Sequence, residues 1–455
     1  MKRTKVIYAM ALLLCIMAIL SGCAKEEAEL KIEPMQEEEV VTFGFDFLGG
    51  SDVMPISGYW GPTPQNLSVE GNNVYDSISE ECMKNIADAG LNHINYSPFT
   101  FQSAMDYADK YLKLGEKYGI GITLNVGLKN IATVETADET LDKFSDYPAV
   151  SGVFVVDEPG YVNYFADPSR DLSLYVKYFD VLNELGYFPY CNLYPLYDAD
   201  QREAYDEYLE TYMTTCKPQV LGYDHYVFDS SNYINYFYNL SVIREKAEKY
   251  GVPFWCFIGT GTDWTKGQEM KKPTEYEFLW NINTCLAYGT KGIQYYPLLQ
   301  NESDIKAEPY EDGISRIGLI GTYGAKTRFW HYAKRANEQI AAVDHVLMNS
   351  VNKGVLLTSE QARKDMVDAK YVLEGTSWRE LTDVSGETMI GCFNYNGKSA
   401  FYVVNYSMEY AQKITLDFAD DYKFTVIQNA ETKHVKGESI TLDMTAGEGV
   451  LVVVE

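Results

Sequence analysis

VSGVFVVDEP, residues 150–159, is a run of Val and Phe that breaks into two acids and a proline. An amphipathic stretch, LSLYVKYFDVLNELG (172–186), follows and stops at a glycine, and the chain resumes as FPYCNLYP (188–195). A short apolar run reads as a buried strand. A 3.6-residue apolar period reads as a helix, and a glycine after its last periodic residue as the stop. Strand, helix, strand is therefore the expected unit, two parallel strands joined by a helix that covers them.

Working outward, the same unit recurs. Before it stand VMPISGYW (53–60), LNHINYSP (91–98) and IGITLNVG (120–127); after it come VLGYDHYVF (220–228), VPFWCFIGTG (252–261) and GIQYYPLL (292–299). Helix-like stretches such as SEECMKNIADAG, FQSAMDYADKYLKLGEKYG, LSVIREKAEKYG and TEYEFLWNINTCLAYG fill the intervals, and Gly90, Gly119, Gly186, Gly251 and Gly289 fall where they should stop. Eight strands alternating with helices predict an α/β fold, a (β/α)8 TIM barrel closed by a helix over 328–347. An open doubly wound sheet fits less well, because it usually has fewer strands and often a glycine-rich phosphate turn, and neither GxGxxG nor a P-loop occurs. After residue 350 the period changes to alternation in AKYVLEG, TMIGCFNYNG, SAFYVVNYS, AQKITLDF, KFTVIQN, ESITLDM and GVLVVVE. That pattern predicts an antiparallel β-sandwich domain.

The N-terminus carries an address. Lys2, Arg3 and Lys5 precede an apolar run from Val6 to Gly22, and Leu20-Ser21-Gly22-Cys23 has the form of a lipobox. The expected organisation is a lipoprotein signal peptide at 1–22, an acidic tether at 23–41, a barrel at 42–348 and a β-sandwich at 349–455. Lipidation of Cys23 would anchor the protein to the extracellular face of a bacterial membrane. Without the three N-terminal basic residues, 35 basic side chains stand against 65 acidic ones, a net charge of −30. Such a charge argues against nucleic acid, anionic lipid surfaces and polyanionic substrates as partners. The six cysteines beyond Cys15 and Cys23 form no CxxC pair and read as buried small apolar residues.

Barrel enzymes carry their chemistry at the carboxyl ends of the strands. Those ends hold Trp60, Tyr96, Asn125, Asp157 and Glu158, Asn192 and Tyr194, Asp224 with His225 and Tyr226, Trp264 beyond strand 7, and Tyr295. The set is rich in carboxylates, amides and aromatics. It lacks a Ser-His-Asp series and the His clusters of a catalytic metal, so neither metal nor cofactor is expected. Two carboxyl groups, one giving and one taking a proton, are what glycoside hydrolysis needs. Aromatic faces and amides suit sugar rings and hydroxyls. Because neighbouring strand residues face opposite ways, Glu158 is expected to point into the mouth, with Asp157 in support and Asp224 as base or nucleophile. Structural alternatives stand beside each: a helix cap for Asp157-Glu158, a loop brace for Asp224, packing for the aromatics. His225 is expected to face the helices, and Glu275 and Glu277 to stabilise a helix start.

GVFVVDEPG (152–160), GYDHYVF (222–228) and LAYGTKGIQYYPL (286–298) resemble barrels of the broad superfamily that contains the family 42-type β-galactosidases. The segments MIGCFNYNGKSAFYVVNYS (389–407) and ITLDMTAGEGVLVVVE (440–455) resemble the β domain that often follows them. The resemblance implies an acid/base glutamate at strand 4, matched by Glu158, with Asp157 in the place of the usual asparagine. It also implies a nucleophilic glutamate at the end of strand 7, where VPFWCFIGTGTDW has none. Other sugar-hydrolysing barrels set their acids on strands 4 and 6, which selects Glu158 with Asp224. The expected function is hydrolysis of a neutral oligo- or polysaccharide. Alternatives are a non-catalytic carbohydrate-binding lipoprotein, and a barrel with lyase or transglycosylase activity.

Overall fold

The computed structural model describes residues 52–64, 76–160, 171–230, 232–260, 273–300, 317–321 and 324–455. Cys23 and Trp264 lie outside the described residues. Eight parallel strands form a closed barrel: β1 (Ile56–Tyr59), β2 (His93–Tyr96), β3 (Gly121–Leu124), β4 (Val150–Asp157), β5 (Pro189–Leu193), β6 (Leu221–Tyr223), β7 (Phe254–Gly259) and β8 (Ile293–Tyr296), with β8 pairing back onto β1. Eight helices alternate with them: α1 (Glu80–Asp88), α2 (Met105–Tyr118), α3 (Val134–Leu141), α4 (Val176–Glu184), α5 (Arg202–Thr215), α6 (Tyr233–Tyr250), α7 (Glu275–Tyr288) and α8 (Arg328–Met348).

The sequence explains the helices locally. In α2 the buried residues Ala108, Tyr111, Leu112 and Gly115 fall at i, i+3, i+4 and i+7, one stripe against the barrel. Gly119 ends it at φ 66°, a left-handed cap that a side chain would strain. α7 starts in a capping box: Thr274 accepts from the Glu277 N–H, and the Glu277 carboxylate accepts from the Thr274 N–H at 2.8 Å. Glu275 accepts from Arg335 Nη1 at 2.9 Å. Both glutamates are thus helix-start groups and stand away from the chemistry.

Two different cores result. Outside the strands, an aliphatic and aromatic layer joins the barrel to its helices. Inside, the barrel is polar at one level and aromatic at the next. His93 bridges Ser57 Oγ at 2.9 Å and Ser151 Oγ at 2.7 Å, and burial pushes its pKa down to about 3, so it is neutral. Nearer the mouth, the Gln294 amide oxygen accepts from both Asn95 and Tyr190. Tyr59, Tyr190, Trp255 and Phe257 pack around this level.

The C-terminal region is a seven-stranded antiparallel sheet: β9 (Ser350–Leu357), β10 (Leu381–Ser385), β11 (Thr388–Tyr395), β12 (Lys398–Asn405), β13 (Gln412–Gln428), β14 (Glu431–Met444) and β15 (Gly449–Val454). AQKITLDF and KFTVIQN join as the single strand β13, whose register against β14 slips between Asp417 and Tyr422. The strand bends there as a bulged strand does. Its first part pairs β10 and its second pairs β15, so the sheet closes over its own apolar core, including Phe401, Phe418 and Phe424. AKYVLEG is no strand: only Val372 bridges, to Val355. β9 and β10 were not apparent from alternation, because β9 changes from alternating to continuous burial midway and β10 buries only Leu381 and Val384.

Barrel and sheet share a buried contact. α7 is enclosed from Glu277 to Tyr288, with Asn283 donating to Gly447 O at 2.8 Å and accepting from Tyr402 OH at 2.8 Å. Arg244 on α6 reaches Asn352 on β9 with Nη1 to Oδ1 at 2.6 Å and Nη2 to the carbonyl at 2.9 Å. The six described cysteines are all buried, and none of them is in a disulfide. No described helix is long and apolar enough to cross a membrane.

Candidate active site

The carboxyl ends of β4, β5 and β6 bring three carboxyl groups together around one amide. Asn192, next to last in β5, is 3% exposed, and its Nδ2 donates to Asp224 Oδ1 at 3.0 Å and to Asp157 Oδ1 at 3.3 Å. The Asp224 carboxyl is also hydrogen-bonded to Glu158. Strand alternation alone would turn one of Asp157 and Glu158 away. Two local features defeat it: β4 shifts register against β5 between Phe154 and Val156, and Glu158 sits at φ 45°, where its N–H still bonds Asn192 O at 2.8 Å. A left-handed glutamate is backbone strain of the kind found at functional sites. Both neighbouring carboxyl groups are thereby presented to the mouth.

Electrostatics follow from the crowding. Burial first, then the charges of Glu158 and Asp157, push the Asp224 carboxyl well above the usual carboxylate range. The shift favours the protonated form of Asp224, with Glu158 as its hydrogen-bonding neighbour. Asp157 is exposed and faces the Tyr59 hydroxyl, which burial and then the Asp157 charge push well up. Tyr96 is pushed up to about 12 by burial and then Asp157. Both shifts keep these hydroxyls protonated.

Aromatic rings fill the other side. Tyr59 lies 5.0 Å from Tyr96 in a stack and 6.0 Å edge-on from Tyr296, and Tyr296 stacks on Tyr226 at 5.8 Å. Trp60, at φ 71°, tilts against Tyr96 at 5.8 Å. β7 ends in Gly259, and the Tyr226 ring lies so close that a Cβ there would be 2.5 Å from it. The buried Trp60 indole N–H, the Thr260 hydroxyl and Asn192 Oδ1 meet no hydrogen-bond partner among the described residues.

The structure thus gathers Glu158, Asp157, Asp224, Asn192, Tyr96, Tyr226 and Trp60. Asn125 follows β3, part-exposed, its carbonyl taken by the Phe101 N–H. Tyr194 sits in the loop after β5, edge-on to Tyr197. Tyr295 is a correction: it is fully buried, stacks on Phe278 of α7 and donates to Asn337 Oδ1 of α8 at 2.6 Å, so it faces the helices. Its neighbour Tyr296 takes the place at the mouth. Tyr59 was also missed, one residue before Trp60, where β1 shifts register against β2. His225 faces α6, with Nδ1 2.8 Å from Asn239 Nδ2. Among the described residues no three His, Cys, Asp or Glu side chains are grouped to hold a metal.

The fold is a (β/α)8 barrel with a C-terminal antiparallel β domain. A β-galactosidase from Bacillus circulans sp. alkalophilus is similar in structure with a TM-score of 0.60 at 10% identity, over 89% of this chain and 99% of that one. A catalytic mutant of a GH42 β-galactosidase from G. stearothermophilus is similar with a TM-score of 0.54 at 9% identity, over 91% of this chain and 100% of that one. No protein-family model matches the chain, and no curated protein is similar to it in sequence.

Proposed function

We propose that this protein is a glycoside hydrolase acting on a neutral oligo- or polysaccharide, with Glu158 as general acid. The observation that carries the reading is the cluster of Asp157, Glu158 and Asp224 around Asn192 at the carboxyl end of the barrel, opposite a wall of tyrosines. A carboxyl pair that keeps a proton can deliver it to a glycosidic oxygen as the bond breaks. Tyr96, Tyr226, Tyr296 and Trp60 would hold the sugar faces, and Asn192 its hydroxyls. Asp224 acts through Glu158 as a positioning residue. The test is a screen of the full chain against aryl glycosides and plant or mucin glycans, beside Glu158→Gln. Loss of about 10²–10⁴-fold in turnover with sugar binding kept is the expected result, and near-normal turnover in the variant removes Glu158 from its role.

A second reading, a carbohydrate-binding protein on a barrel scaffold, is favoured by the end of β7, which holds Gly259 and Thr260 in place of a carboxylate. It predicts saturable glycan binding without product. We propose in either case that Cys23 is lipidated and holds the protein at the extracellular face of a bacterial membrane. Cys23→Ala should abolish incorporation of labelled palmitate and release the protein from membranes.

A further inference from the structure

We propose that Asn239, on α6, and His225 form a positioning clamp that sets the ends of β5 and β6 against each other, and so fixes how Asn192 and Asp224 present their side chains. This rests on the glycosidase reading above and adds to it two positioning residues.

The need for a clamp follows from the strands. β6 is only three residues long, and its ladder with β5 consists of two pairings, Asn192 with Gly222 and Leu193 with Tyr223. On the other side the pairing with β7 also stops at Tyr223. Asp224 lies one residue past both ladders, where its N–H reaches Leu193 O at 3.3 Å. A misplacement of about 1 Å in a group that takes part in catalysis is enough to slow it. Asp224 thus stands at the point where the sheet stops holding the chain.

Asn239 supplies what the sheet does not. Its side chain is fully buried, on the same face of α6 as Tyr236, Leu240 and Ile243. Oδ1 accepts from the Leu196 N–H at 2.8 Å, and Nδ2 donates to Leu196 O at 2.8 Å, so both ends of one amide grip the loop after β5. The same Nδ2 lies 2.8 Å from His225 Nδ1 and 3.0 Å from Asn235 O. One turn earlier on α6, the Asn235 amide donates to Tyr197 O. Asparagine is a poor helix former, and a buried amide is costly unless it is hydrogen-bonded. Two of them one turn apart, both facing the strand ends, are accounted for by the segments they tie.

The sense of each bond is fixed. The Leu196 N–H identifies one end of the Asn239 amide as oxygen, and the Leu196 carbonyl identifies the other as nitrogen. An amide nitrogen only donates, so His225 Nδ1 accepts and the ring proton sits on Nε2. Burial keeps the imidazole neutral, with its pKa pushed down to about 3, as acceptance from an N–H requires. The ring is seated against Tyr197 and, edge-on, against Tyr236, with centroids 5.6 Å from each. Nε2 meets no hydrogen-bond partner among the described residues, so Nδ1 is the ring's tie to the protein. Asp224 faces the mouth and His225 faces α6, and holding the ring from outside sets the backbone that aims the carboxyl inward.

The test measures kcat and KM of the full chain on the best aryl glycoside from the screen. The variants are His225→Phe, Asn239→Leu and His225→Asn, with Arg244→Ala as a comparison for lost stability alone. His225→Phe keeps a ring against the two tyrosines and removes the acceptor. His225→Asn returns an acceptor near the place of Nδ1. Below the melting temperature of each variant, His225→Phe and Asn239→Leu should lower kcat about 10–10²-fold while KM changes less than about threefold. His225→Asn should recover most of the loss, and Arg244→Ala should keep kcat. Unchanged kcat in His225→Phe overturns the clamp. So does an effect on KM alone, or a fall in kcat that only follows the folded fraction. If Asn239→Leu does not fold, His225→Phe carries the test, and failure of that variant to fold as well would make the pair a structural brace. A folded wild-type chain that turns over no glycoside overturns the glycosidase reading itself. That outcome is distinguishable, because each variant is judged against an active wild type.

Discussion

Gly259→Ala is a one-carbon test of whether the tyrosine wall is part of the chemistry. Gly259 is the last residue of β7, and a Cβ built on it would lie 2.5 Å from Tyr226 Cδ1, 3.2 Å from Cγ and 3.3 Å from Cε1. Ordinary contact begins near 3.4 Å, so the ring must retreat by about 0.9 Å. It has nowhere easy to go, since the ring also stacks on Tyr296 at 5.8 Å and Asp224 lies two residues back in the chain. Overpacking of this kind costs about 1–3 kcal/mol. A displacement of about 1 Å in a positioning group costs on the order of 10² in rate. The expected variant therefore folds, melts a few degrees lower, and loses about two decades in kcat/KM on the best glycoside from the screen. Adding Tyr226→Ala should restore the melting temperature without restoring activity, because the clash goes and so does the platform. A single variant with unchanged melting temperature and unchanged kcat/KM would refute both the position of the ring and its role.

The remaining predictions reach the proton pair, the sugar platform and the domain contact. Asp224→Asn keeps a group that can accept from Asn192 and donate to Glu158. The raised folded pKa of Asp224 means that wild-type protein loses stability as pH rises from the ordinary carboxyl range through that pKa, with a slope of up to about 1.4 kcal/mol per pH unit. The variant lacks that slope, so its melting temperature should gain on wild type between pH 4 and pH 8; a constant difference contradicts the assignment. Trp60→Ala should raise KM about tenfold with little change in kcat, the loss of about 1.4 kcal/mol of ring contact made equally in ground and transition states. Arg244→Ala removes the buried link to Asn352 and should cost about 3 kcal/mol. Calorimetry should show barrel and sheet still melting in one transition, at lower temperature; separation into two would mean the domains are energetically independent.

The barrel was legible because its signals are local and repeated. Each strand is a short buried run, each helix has a one-sided apolar period, and glycines stop α2, α6 and α7 in left-handed caps. The C-terminal strands were less legible. β13 runs to 17 residues with an exposed stretch in its middle, which from sequence divides one strand into two, and β14 runs to 14 residues and is exposed over its first part, so that only ESITLDM shows as a strand. The Asn396-Gly397 turn between β11 and β12, both residues at positive φ, is the hairpin signal that the sequence shows openly.

The site divides along the same physical line. Residue types at strand ends pointed to Glu158, Asp224, Asn192 and an aromatic lining, and the structure brings these side chains together. The facing was then misread at the two places where the strands are irregular or end. At β4 period-two alternation allowed only one of Asp157 and Glu158 into the mouth, and at β8 the choice of Tyr295 from the strand end missed Tyr296. A bulge and a left-handed residue re-aim side chains, and neither leaves a mark in hydrophobic periodicity. The left-handed glutamate has a cost, since residues in this region carry about 1–3 kcal/mol of strain. The fold holds it through the Glu158 N–H bond to Asn192 O at 2.8 Å, so the residue that orders the three carboxyl groups also secures the backbone that presents them. Asn192 is therefore the position where structure and chemistry are least separable. Asn192→Ala would leave the main-chain bond in place and remove only the side-chain tie. It should lower kcat more than it lowers the melting temperature, and a loss confined to stability would mean that the cluster is a structural brace.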